Sequence, residues 1–126
     1  MRRVVLDASA FLAWFGPQAV RRLRDEYEAG SLEVVVSSGF SAAVLEAAAR
    51  LGWDPDRLRA LAPLTARVPF DVREPRTDEL VRWLGRGLSG PQAGSAAVAE
   101  ALGIPLVSGD AELARTAASL LLRDDD

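Results

Sequence analysis

Hydrophobic and polar positions along the chain fall into short apolar runs that alternate with stretches of helical spacing. "RRVVLD", residues 2–7, reads as a buried strand ending on an acid, and "ASAFLAWF", residues 8–15, has apolar spacing for one or two helical turns. Gly16 and Pro17 interrupt that pattern. "PQAVRRLRDEYEAG", residues 17–30, then predicts an exposed helix from Pro17 to Gly30, and "LEVVVS", residues 32–37, a valine-rich strand. "SGFSAAVLEAAARLGW", residues 38–53, returns to helix with Gly52 near its end, and Asp54 caps a further helix, "PDRLRALAPL", residues 55–64. "ARVPFDV", residues 66–72, is a strand weakened by Pro69. "TDELVRWLGRG", residues 77–87, predicts a capped amphipathic helix, and "PQAGSAAVAEALG", residues 91–103, another. "IPLVS", residues 104–108, is a strand, and "DAELARTAASL", residues 110–120, a last helix that leads into a short strand at "LLL", residues 120–122.

Strands alternating with helices predict an α/β fold with a small, mostly parallel sheet flanked by helices. No repeat or linker divides the sequence, and the only biased segment is the acidic "DDD" at 124–126, so residues 1–126 are expected to form one domain. A chain of 126 residues, 49% of them hydrophobic, has enough apolar material for one core. No stretch approaches the ~20 apolar residues of a membrane span and no signal-peptide pattern opens the chain, so a cytoplasmic location and no membrane partner are expected.

Composition narrows the chemistry. There is no cysteine and no histidine, and all 15 basic residues are arginine, which removes thiolate zinc sites, histidine triads, histidine metal clusters and a P-loop lysine. Carboxylates, hydroxyls, Tyr27 and arginines remain, a donor set suited to hard, oxygen-ligated cations such as Mg²⁺ or Mn²⁺. The net charge of -3 is not that of a strongly basic nucleic-acid binder. A bound metal and local arginines can nevertheless reverse the field where a phosphate lands.

In parallel α/β sheets, ligands gather at the carboxyl ends of strands, where this sequence puts Asp7 and Asp110. Each also sits where a helix starts, in "DASA" and "DAEL", and so can equally be a helix cap. Glu46 lies within "AAVLEAAARLG", either on a polar stripe or turned into a pocket. Arg21, Arg22 and Arg24 form one basic cluster, and Arg82 and Arg86 share a helix face at i, i+4. Either group can meet phosphates, with a solvated surface as the plainer role. Trp14, Trp53 and Trp83 sit in apolar helical settings and read as core or interface anchors.

Three segments taken together, "VVLDASAFLAWF", "VSSGFSAAVLEAAARLG" and "LSGPQAGSAAVAEALGIPLVSGDAELA", resemble in order and spacing the signature segments of the PIN-domain family, in particular the VapC-type toxins of bacterial toxin–antitoxin pairs. The resemblance spans nearly the whole chain, with residues 54–87 matching only in helical character. It implies a Mg²⁺- or Mn²⁺-dependent RNA endonuclease with about four clustered acids. Asp7, Glu46 and Asp110 match three of them, and Ser9 and Ser108 match hydroxyls near the metal. The fourth position falls on Gln92, a neutral amide where the family brings a charge, which implies weakened or lost activity. The resemblance also implies a homodimer and a cognate antitoxin protein. Gln92 separates an active ribonuclease from a catalytically inactive PIN domain that binds RNA or antitoxin without cleaving. An unrelated phosphoryl-transfer or receiver-like domain is disfavoured by the absence of lysine.

Overall fold

The computed structural model describes residues 1–14 and 21–122. The valine-rich runs form a four-stranded parallel sheet of β1 (Arg2–Leu6), β2 (Leu32–Ser37), β3 (Asp71–Arg73) and β4 (Leu106–Val107), in the order β3-β2-β1-β4. Alternation along the strands sorts their side chains to two faces. Val4, Leu6, Val34 and Val36 pack on one side with α1 (Ala8–Trp14), α2 (Arg21–Glu28), α3 (Phe40–Arg50) and α4 (Pro55–Arg67). Val5, Val35 and Leu106 pack on the other with α5 (Thr77–Leu84), α6 (Gly90–Leu102) and α7 (Ala111–Thr116). The sheet is therefore apolar on both faces, as a parallel sheet must be when helices cover it.

Phe11, Phe40 and Phe70 meet edge to face in the first core, where Trp14 adds its ring against Tyr27 and Phe70. In the second, Trp83 is buried beside a run of small residues on α6. Those small residues let α6 lie close to the sheet: a Cβ on Gly94 would come within 2.7 Å of the Ser37 hydroxyl. Trp14 and Trp83 are core residues, as their apolar settings predict, whereas Trp53 is half-buried under the guanidinium of Arg57, 4.1 Å from its ring centre. Among the described residues, no helix is long and apolar enough to cross a membrane.

Several boundaries differ from those the sequence predicts. The helix at 55–64 continues to Arg67 with Pro63 inside it; Thr65 is buried there and its hydroxyl donates to the Ala62 carbonyl. That extension consumes residues 66 and 67, so the strand expected at 66–72 forms only at Asp71–Arg73, beyond Pro69. The exposed helix expected at 17–30 is Arg21–Glu28, with residues 17–20 outside the described residues, as are Phe15, Gly16 and the acidic tail. Thr77 begins α5 rather than capping it: Arg76 takes the cap position without a side-chain bond. The last helix breaks at Ala117 into a 3-10 turn, Ala118–Leu120, and the strand expected at "LLL" is a single parallel bridge from Leu121 to Leu106.

Candidate active site

From β1 the chain steps outward to β2 and β3, whereas β4 lies on the other side of β1. The connections thus part between β1 and β4, and the crevice at the carboxyl ends of those strands is where parallel α/β sheets bind ligands. Asp7 follows β1, and Ser108 and Asp110 follow β4.

Asp7 is 5% exposed and anchors a network across this crevice. Its Oδ1 accepts from the Ser9 hydroxyl at 2.8 Å and the Ala10 N–H at 2.9 Å, and its Oδ2 accepts from the Ser108 hydroxyl at 2.6 Å. The two hydroxyls in turn accept backbone N–H groups from the loop after β4: Gly109 to Ser9 at 2.8 Å, Asp110 to Ser108 at 3.0 Å. Ser9 and Ser108 thereby join the turn after β1 to the turn after β4 through one carboxylate. Burial pushes the Asp7 carboxyl above its ordinary pKa; the Ser108 hydroxyl, the Ala10 N–H and the Ser9 hydroxyl pull it back, and the charge of Asp110 adds to the rise.

Asp7 and Asp110 are both helix caps as well. The Ala10 N–H bond closes the first turn of α1, and Asp110 Oδ1 accepts from the Leu113 N–H at 2.9 Å at the start of α7. Capping leaves oxygen over. A carboxylate offers about four lone-pair positions, and neither acid has all of them occupied by these bonds.

An open pocket gathers Asp7, Ser9, Glu46, Gln92 and Asp110 on one wall or another. The four segments that supply them are each separated by at least one whole element, so the fold alone brings them together. They are not preformed as a ligand set: among the described residues, no three acids converge closely enough to hold a metal between them. Glu46 is exposed and paired with Arg50 at 2.5 Å, one turn along α3. Gln92 lines the pocket but its side chain is engaged at the start of α6. Its Oε1 accepts from the Ser89 N–H at 2.9 Å while its own N–H donates to the Ser89 hydroxyl at 3.4 Å, a reciprocal capping box. The Ser-x-x-Gln spacing in "SGPQ" carries that signal, beside the match of Gln92 to the fourth acid position.

Arg50 also lines the pocket, as do the hydroxyl residues Ser37, Ser38, Ser89 and Ser95, none of which the sequence singled out. The position of Arg50 four residues after Glu46 was the available signal. The arginines singled out from the sequence lie elsewhere. Arg24 donates to the Trp14 carbonyl at 3.0 Å, Arg82 pairs with Glu100, Arg86 stacks on Trp83 at 4.8 Å, and Arg21 and Arg22 are exposed on α2 away from the pocket lining.

The donors fit a hard divalent cation. Asp7 is a desolvated carboxylate for which the described residues supply hydroxyl and amide bonds but no basic side chain, and the second acid beside it worsens the charge imbalance. Asp7 and Asp110 would hold the ion, with Glu46 joining once it leaves Arg50. Such an ion supplies a water of lowered pKa and a counter-charge for a phosphate.

A family model for the PIN domain matches residues 4–119. Among solved structures, the crystal structure of PAE2754 from Pyrobaculum aerophilum is similar, at a TM-score of 0.64 and 25% identity, covering 91% of this chain and 79% of that one. Comparison with curated proteins gave no match. Fold, crevice and family model agree, and the unrelated receiver-like alternative falls away: the chain belongs to the PIN-domain family, whose members are generally metal-dependent nucleases acting on RNA or DNA.

Proposed function

We propose that the protein is a Mg²⁺- or Mn²⁺-dependent RNA endonuclease of the VapC toxin type, working in the cytoplasm as a homodimer restrained by a cognate antitoxin. The observation that supports this most directly is the placing of Asp7, Glu46 and Asp110, from three distant segments, around one pocket at the carboxyl ends of the strands. Asp7 and Asp110 bind the ion, and Ser9 and Ser108 hold the Asp7 carboxylate in position. Gln92 presents an amide where a fourth acid would strengthen the site, so the wild-type activity is weak and favours Mn²⁺.

A second reading, an inactive PIN domain that binds RNA or antitoxin, draws on the engagement of Gln92 with Ser89 and of Glu46 with Arg50. One experiment separates the two: cleavage of a structured RNA by wild type, Asp7→Asn and Gln92→Asp across Mg²⁺ and Mn²⁺ concentrations. Metal-dependent cleavage is expected in wild type, a loss of about 10²-fold or more in Asp7→Asn, and a gain in Gln92→Asp. RNA binding without cleavage in both wild type and Gln92→Asp would establish the binding module instead.

A further inference from the structure

Arg50 lies on the wall of the candidate site, and it is the one basic residue that does so among the described residues. A pocket lined by three acids repels a phosphate, and a divalent ion held by those acids offsets only part of that repulsion. Some other cation has to face the nucleic-acid backbone. Arg21, Arg22, Arg82 and Arg86 do not line the pocket, and Arg24 is bonded to a main-chain carbonyl.

The pairing of Arg50 gives this residue a second property. Its partner is Glu46, a prospective metal ligand, and both side chains are well exposed, at 76% and 54%. Exposed i, i+4 pairs are weak, so little opposes their separation. Divalent metal and Arg50 therefore compete for one carboxylate. A cation that captures Glu46 draws off the charge that holds the guanidinium, and it does so in the pocket that Arg50 itself lines.

We propose that Arg50 is the phosphate-contacting residue of this site and that Glu46 competes for it until a divalent cation takes the carboxylate, so that metal binding strengthens nucleic-acid binding. Resting as it does on the reading of the pocket as a metal-dependent nuclease site, the proposal adds an exchange: the Glu46–Arg50 pair in the metal-free protein becomes Glu46–metal and Arg50–phosphate in the loaded one. Arg50 sits in the last turn of α3, where a cation also suits the helix end, so it keeps its place after losing its partner.

The test uses Mn²⁺ alone, followed by calorimetry, and a short labelled phosphorothioate RNA, followed by anisotropy as salt is varied. Wild type should bind the RNA more tightly with Mn²⁺, with the dependence of log K on log salt steeper by about 0.7, the value of one added single-strand phosphate contact. Arg50→Ala should bind Mn²⁺ about twofold more tightly, having lost the competitor for Glu46, yet show no Mn²⁺-induced steepening. Arg50→Lys should restore most of it. The sharpest measurement needs no metal. Glu46→Gln should bind RNA more tightly than wild type in metal-free buffer, because Arg50 is already released, and adding Arg50→Ala should erase that gain. If Arg50→Ala matches wild type in both Mn²⁺ affinity and salt dependence while wild type binds both ligands, the exchange is wrong and the nuclease reading stands. If wild type binds neither Mn²⁺ nor RNA, both readings fall together.

Discussion

Asp7 is where stability and function pull apart. Its carboxyl is buried, its ordinary pKa is raised chiefly by that burial, and the described residues put no basic side chain against it. A raised carboxyl pKa means that the folded chain prefers the protonated acid more than the unfolded chain does. The cost is absent below the unfolded pKa, grows as pH rises toward the folded one, and is constant above it. Asp7→Asn keeps the shape: the amide oxygen can accept from Ser9 and Ala10, and the Ser108 hydroxyl can turn to accept from the amide nitrogen. The variant should melt a few degrees higher than wild type at pH 7 without metal, with the gap closing as pH falls below the ordinary carboxylate value. Saturating Mn²⁺ should reverse the order, since only wild type keeps the ligand. Melting curves at several pH values, with and without Mn²⁺, check all three statements. An asparagine variant less stable than wild type at pH 7 would show that the hydrogen bonds to Asp7 outweigh its desolvation.

At the scale of elements, α6 shows what the sequence made legible and what it hid. Its small residues, the proline at its start and the left-handed Gly103 at its end, φ 65°, mark both boundaries to within a residue. Valine runs likewise identified β1 and β2, because strands buried on both faces carry an unbroken apolar signal. The short strands were legible in place but not in extent: the runs at 66–72 and 104–108 overlap β3 and β4, which tertiary context trims to 3 and 2 residues. In α4 the burial of Thr65 carries the helix past Pro63, a contact no local pattern encodes. The same division runs through the site. Strand-end acids were visible from their positions, whereas the engagement of Gln92 with Ser89 and of Arg50 with Glu46 depends on side-chain partners that compete with the site-facing role. The capping box has a measurable consequence: Ser89→Ala removes the acceptor for the Gln92 N–H and should cost about 1 kcal/mol in chemical denaturation. Because Gln92 Oε1 still has the residue-89 N–H to accept from, metal affinity should stay at the wild-type value. A change in Mn²⁺ affinity without loss of stability would mean that Ser89 belongs to the site rather than to the helix.

For the whole molecule, the two cores are closed by helices on both sides of the sheet, and the apolar groups left outside are few. On α5, Val81 at 63% and Leu84 at 46% exposure lie three residues apart on one face, while Trp83 on the same helix turns inward at 2%. An amphipathic helix that presents two aliphatic side chains outward has an apolar patch of the kind found where proteins associate. The proposed homodimer is therefore expected to cover this face, which stands apart from the residues lining the candidate site. Sedimentation at micromolar concentration should give a species of twice the 13.5 kDa chain mass, and Val81→Glu should shift it toward that of one chain. The substitution touches neither core nor pocket, so Mn²⁺ affinity and melting at low protein concentration should be unchanged. A wild type that sediments as a single chain at every concentration would remove the dimer from the proposal. A Val81→Glu protein that remains fully dimeric would move the interface to another face, with the exposed Leu51 and Leu64 of the α3–α4 region the next to substitute.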